Sequence, residues 1–136
     1  MTIQLQTAAA LMTSSPVTIE PTATLRAAAI ILSQRKLHCL IVPAVGERML
    51  GVITSKDIVQ VLCDSEPEML DQLHVSDALT QPAITVQADH LIVDCLRLMR
   101  MCGVRSVPVM RGTQPVGILS FTDVLHAIAG LTAMPA

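Results

Sequence analysis

The chain is expected to be an α+β protein made of two tandem repeats, each running strand, helix, strand, strand, helix. Three observations predict this. The sequence matches itself: at an offset of 67, Thr13 meets Thr80, Thr18 meets Thr85, Leu25 meets Ile92 and Val42 meets Val109. After one residue is dropped near Ala44 the offset becomes 66, so that Gly46 meets Gly112, Gly51 meets Gly117, Thr54 meets Ser120 and Asp57 meets Asp123. Within each copy, the apolar residues switch between helical spacing and short strand-like runs. Finally, 51% of the 136 residues are apolar and only 15% are charged. That composition excludes a disordered regulator and leaves apolar surface for a partner to cover.

Each copy opens with a short extended piece, Val17 to Ile19 or Ile84 to Val86. A helix follows, with its stripe on Leu25, Ala28, Ala29 and Leu32 in the first copy and on Ile92, Cys95, Leu96 and Met99 in the second. In the first copy Ala27, Ile30 and Ile31 flank the stripe, so this helix is expected to be buried on both sides, against its own sheet and against a second copy of the chain. Next come two apolar runs around a glycine turn, the pattern of a hairpin: Cys39 to Val42 and Leu50 to Thr54 around Gly46, then Ser106 to Met110 and Val116 to Leu119 around Gly112. Closing helices run from about Ser55 to Leu62 and from about Phe121 to Ala129. Between the copies, Asp64 to His74 holds four of the eleven acidic residues and reads as a solvated connector with a helical turn through Met69 to Leu73. The expected division is residues 1–65 for the first repeat with its lead-in, 66–75 for the connector and 76–136 for the second repeat, the two related by a pseudo-two-fold axis.

Several function classes are excluded at once. The longest apolar run, Ala27 to Leu32, has six residues, against the ~18 needed to span a membrane. No basic cluster precedes the short apolar stretch at Ala8 to Met12, so no signal peptide is expected, and the chain is read as cytoplasmic. A net charge of −2 and a single aromatic residue, Phe121, argue against nucleic-acid binding by phosphate neutralisation or base stacking. Cys39, Cys63, Cys95 and Cys102 form no Cys-x-x-Cys pair, and His38, His74, His90 and His126 are scattered, so no metal site is expected. The thiols read as small hydrophobes, with redox sensing through Cys39 or Cys102 as a lesser option. No phosphate-binding glycine loop, zinc motif or triad is present, so the chain is not expected to be an enzyme.

One motif carries chemistry in both copies. Gly51-Val52-Ile53-Thr54-Ser55-Lys56-Asp57-Ile58 and Gly117-Ile118-Leu119-Ser120-Phe121-Thr122-Asp123-Val124 each run a strand into a helix through a hydroxyl residue, with a carboxylate three places on. Such a spacing is a capping box, in which the two side chains satisfy free N–H groups at the helix start. The same geometry suits a nucleotide, because a helix N-terminus attracts phosphate and a carboxylate accepts two hydrogen bonds from a ribose diol. The motif by itself leaves both readings open.

In these residues the chain resembles the cystathionine-β-synthase (CBS) domain family in its tandem-pair form, over about residues 10–62 and 76–130. Further marks are Met12-Thr13 with Pro16-Val17-Thr18-Ile19, and Gly103-Val104-Arg105-Ser106-Val107-Pro108-Val109. The first copy departs from the pattern at Ile41, where the second has Pro108. The resemblance implies a regulatory, signalling module that binds AMP, ADP, ATP or S-adenosylmethionine in clefts between the repeats, with no required cofactor. The implied ligand set is Thr18, Thr54, Lys56 and Asp57 in the first copy and Thr85, Ser120 and Asp123 in the second. Thr122 stands beside Asp123, Arg105 precedes its strand as a second cation, and His38 aligns with Arg105. With no Trp or Tyr, adenine would lie among aliphatic side chains such as Ile19, Val42, Val86, Val109 or Met110. The resemblance also implies a homodimer formed through helices and an effector protein that reads the bound state. The rival reading is a dimeric interaction protein with vestigial clefts.

Overall fold

The computed structural model describes residues 2–132. In chain order its elements are α1 (Ala8–Leu11), β1 (Thr13–Ser14), α2 (Leu25–Gln34), β2 (Cys39–Val42), β3 (Gly51–Thr54), α3 (Ser55–Asp64), α4 (Val75–Ala78), β4 (Val86–Gln87), α5 (Ile92–Cys102), β5 (Ser106–Arg111), β6 (Gln114–Ser120) and α6 (Phe121–Thr132). Single 3-10 turns at Ile3–Leu5 and Pro67–Asp71 precede α1 and α4. The chain forms two compact units, Val17–Ala83 and a second that joins the lead-in up to Pro16 to the chain from Ile84 onward. Sequence repeat and compact unit are therefore different objects. The division at residues 65 and 76 follows the repeat, whereas the lead-in packs with the second copy's elements and the stretch up to Ala83 with the first copy's.

In the Val17–Ala83 unit, α2 starts where Thr24 Oγ1 accepts a hydrogen bond from Ala27 N at 3.1 Å. The cap satisfies one of the N–H groups that have no partner within the helix. The helix buries Leu25, Ala28 and Leu32 and leaves Arg26, Ile30, Ser33 and Gln34 exposed. Those four residues line up on one face, which the chain itself leaves uncovered and which a second copy would have to cover. Beyond α2, Lys36 sits at φ +53°, the position that Gly103 fills at φ +68° after α5. A Cβ in this left-handed region crowds the following carbonyl. Lys36→Gly is expected to stabilise the chain by about 0.5–1 kcal/mol, read as a higher urea midpoint with an unchanged slope.

β2 and β3 pair antiparallel from Cys39↔Thr54 to Val42↔Gly51. On one side Thr18 bridges Ile41 in parallel, and on the other Thr80 bridges Val52. The lead-in unit repeats this order as a four-stranded sheet, β1-β6-β5-β4, with β4 parallel to β5. Thr13 pairs Ile118 where Thr80 pairs Val52. The first extended piece, expected at Val17 to Ile19, is thus an isolated bridge, while its equivalent is the strand Val86–Gln87.

Each unit has its own core. Leu25, Ala28, Leu32, Leu40, Val42, Ile53 and Ile58 form one, and Ile92, Cys95, Met99, Val107, Val109, Leu119 and Val124 the other. The acidic connector is more than a solvated link. Leu70 on its 3-10 turn enters the core at 8% exposure. Arg26 on α2 also donates to Asp71 through Nε and to the Pro67 carbonyl at 3.3 Å. The turn covers Pro67–Asp71, two residues earlier than expected, because Pro67 supplies a first position with no N–H to satisfy. The short helices α1 and α4, too brief to leave a periodic signal, feed Ala8 and Val75 into the two cores.

Candidate functional site

Both hydroxyl-to-carboxylate motifs form the same structure. At the start of α3, Asp57 Oδ2 accepts from Thr54 N at 2.9 Å and from Thr54 Oγ1 at 3.0 Å, while Thr54 Oγ1 accepts from Asp57 N at 3.3 Å. At the start of α6, Asp123 Oδ2 accepts from Ser120 N and Ser120 Oγ, both at 2.8 Å, and Ser120 Oγ accepts from Asp123 N at 3.2 Å. The capping reading is therefore correct as structure. It leaves Oδ1 of each carboxylate turned to a different donor: Thr80 Oγ1 at 3.4 Å for Asp57, and Thr13 Oγ1 at 2.8 Å for Asp123.

Thr13 and Thr80 were absent from the expected set, although they stand at equal positions in the repeat. Their placement depends on a close approach. A Cβ at Gly117 would lie 2.8 Å from the Thr13 carbonyl oxygen and collide with Met12 Sδ; at Gly51 it would lie 3.2 Å from the Thr80 carbonyl oxygen and collide with Leu79 Cδ1. Glycine at these two positions lets the threonine-bearing segment run against the strand that leads to the aspartate.

The pairing brings some of the other expected residues to the motif. His38 directly precedes Cys39, which is registered against Thr54. Ser106, the residue after Arg105, is registered against Ser120, and the Arg105 carbonyl accepts from Phe121 N at 3.0 Å. Lys56, His38 and Arg105 are exposed, and Thr122 is half-buried. Thr18 and Thr85 lie further off. Thr18 bridges the far side of β2, and Thr85 precedes Val86, which is registered against Val109 on the far side of β5. The aliphatic residues Ile19, Val42, Val86, Val109 and Met110 are at most 8% exposed. Ile19, Val42, Val86 and Val109 belong to the two cores, a role they fill with or without a ligand.

Shallow grooves of about 300 and 380 Å³ run over the outer faces of α2 and α5, and none of the ten expected site residues lines them. Among the described residues no group of three or more His, Cys, Asp or Glu could hold a metal ion, and no helix is long and apolar enough to cross a membrane. Burial pushes the Cys95 thiol up, and the nearby Asp94 charge adds to the effect. Cys95 therefore stays a thiol and acts as core. Cys39 is buried and Cys102 exposed.

Comparison with known proteins follows the same lines. The CBS domain model matches residues 8–64 and 75–130. Arabinose 5-phosphate isomerase KdsD of Salmonella typhimurium is 31% identical over 105 residues, which are 77% of this chain and 31% of the isomerase. The chain spans 60% or less of the first curated relatives it matches, about a third in the isomerases. Among solved structures, a hexameric CBS-CP12 protein from bloom-forming cyanobacteria superposes with a TM-score of 0.83 at 25% identity, covering 96% of this chain and 76% of its own. The CBS domain pair of protein MJ0100, solved with 5′-methylthioadenosine and S-adenosylmethionine, gives 0.79 at 22% identity, covering 93% and 98%. With both repeats matched over nearly their whole length, and the same strand order in each, the chain belongs to the CBS domain family, as a tandem pair.

Proposed function

We propose that the chain is a regulatory, ligand-sensing module that binds an adenosine-containing nucleotide, with Asp57 and Asp123 as the ribose-binding carboxylates. The observation that carries the reading is the duplicated helix start, where each capping carboxylate keeps one oxygen, Oδ1, clear of the cap. N–H groups and the dipole at the starts of α3 and α6 suit phosphate. Lys56 on α3 and Arg105, which precedes β5 and whose carbonyl accepts from Phe121 N, are solvent-facing cations. Thr54 and Ser120 approach phosphate, with Thr122 beside Asp123; His38 serves where Arg105 does in the other copy, and Thr18 and Thr85 contact adenine through their backbone. The adenosine ligands of the MJ0100 pair support the ligand class, which takes in AMP, ADP, ATP and S-adenosylmethionine. No catalytic step is assigned, and an effector protein reads the bound state in the cytoplasm. A ligand-independent interaction module is the second reading, favoured by the fact that both carboxylates already serve as caps.

With no Trp or Tyr and one Phe, the purified chain is expected to absorb little near 260 nm unless adenine is bound. Binding to the native state alone adds about 2.7 kcal/mol of stability at a hundred times the dissociation constant. AMP, ADP, ATP or S-adenosylmethionine at millimolar concentration is expected to raise the melting temperature. An unmoved melting temperature with all four, and no co-purified nucleotide, would leave the interaction module as the function.

A further inference from the structure

We infer that Thr13 and Thr80 set the nucleotide affinity of the two sites, because each occupies the acceptor that a ribose diol needs. The inference rests on the nucleotide reading above. An ionised carboxylate offers about four lone-pair positions. At Asp123, Oδ2 accepts two hydrogen bonds from Ser120 and Oδ1 accepts one from Thr13. At Asp57, Thr54 and Thr80 fill the same three positions. One position remains in each case, whereas a vicinal diol donates twice.

The donor that yields is the threonine. Backbone N–H groups of Thr54 and Ser120 are fixed by the helix start, and the Ser120 hydroxyl is buried at 1% exposure. Thr13 and Thr80 are exposed, and their hydroxyls can turn to water without moving the backbone. Release is harder at Asp123, where the bond is 2.8 Å, than at Asp57, where it is 3.4 Å. The Asp57 site is therefore the tighter of the two. The two threonines also sit three residues before Pro16 and Ala83, where the chain passes from one compact unit to the other. A bound diol thus frees a side-chain tie beside each crossing.

Calorimetric titration of AMP and of 3′-deoxy-AMP, which lacks one of the two donors, tests this. Each threonine is changed in a chain where the other site has lost its carboxylate, Thr13→Val in Asp57→Ala and Thr80→Val in Asp123→Ala. Valine keeps the branched shape and removes the hydroxyl. Thr13→Val is expected to tighten AMP binding about threefold to tenfold, Thr80→Val by less, and neither to change binding of 3′-deoxy-AMP. Unchanged or weaker AMP binding in both valine variants, or an equal gain with the deoxy analogue, would overturn the competition while leaving the nucleotide reading intact. If the unmodified chain binds neither compound, the nucleotide reading fails and takes the inference with it.

Discussion

Replacing Asp123 with alanine is expected to cost about 2–4 kcal/mol of stability and to remove the nucleotide-induced rise in melting temperature at that site. Two effects add. The carboxylate caps α6 by accepting from Ser120 N, and loss of a cap costs about 0.5–2 kcal/mol. It also accepts from the Ser120 hydroxyl, which at 1% exposure has no water to turn to, and a stranded buried donor costs about 1–3 kcal/mol. Asp57→Ala is expected to cost only about 1–2 kcal/mol, because Thr54 is half-exposed and its hydroxyl can be hydrated. Urea unfolding of both variants measures the difference, and equal losses would contradict the burial argument. Because intrinsic stability falls in both, the shift produced by AMP within each variant is the quantity that reports ribose binding.

The second large effect concerns self-association, which we propose as a homodimer formed through helices. Light scattering at micromolar concentration is expected to give about twice 14.5 kDa. The sequence points to α2 as the contact, where Ile30 is 47% exposed, and the closing helices add exposed apolar side chains of their own: Val59 at 59% and Leu62 at 44% on α3, and Leu125 at 60% on α6. Val59 and Leu125 are equivalent in the repeat, so both units present the same feature. Leu125→Asp is expected to halve the mass while leaving the melting curve cooperative. Ala28→Asp is the contrasting case. Ala28 is fully buried in α2, and an unpaired carboxylate there costs at least about 3 kcal/mol, so the chain itself is expected to unfold. A Leu125→Asp protein of unchanged mass would remove α6 from the interface.

Much of this was legible in the residues. The offset of 67 and then 66 located both hairpins and both capping motifs, because strand length, turn and cap are local and leave local marks. Helix α2 was found from Leu25, Ala28 and Leu32, which are all buried as read. On its opposite face Ala27 and Ile31 are partly covered and Ile30 is exposed, the face that the expected second copy would cover. Thr13 and Thr80 align with each other in the repeat, but the alignment shows no role for them. Their function depends on a partner 110 residues away in one case and 23 in the other. No spacing rule reaches that far. The unit boundaries were hidden for the same reason, since a lead-in of 16 residues carries no sign of which copy it joins.

That lead-in has a consequence for how the protein is made. Residues 2–16 leave the ribosome well before the groups they pair with, Leu91 beside Thr7 and Ile118 beside Thr13. The Val17–Ala83 unit is contiguous and can close while the rest is still being translated. Its counterpart must wait for α6 and then recover a segment that emerged before the whole intervening unit. A circular permutant that starts at Val17 and carries residues 2–16 after Thr132 would make both units contiguous and abolish that delay.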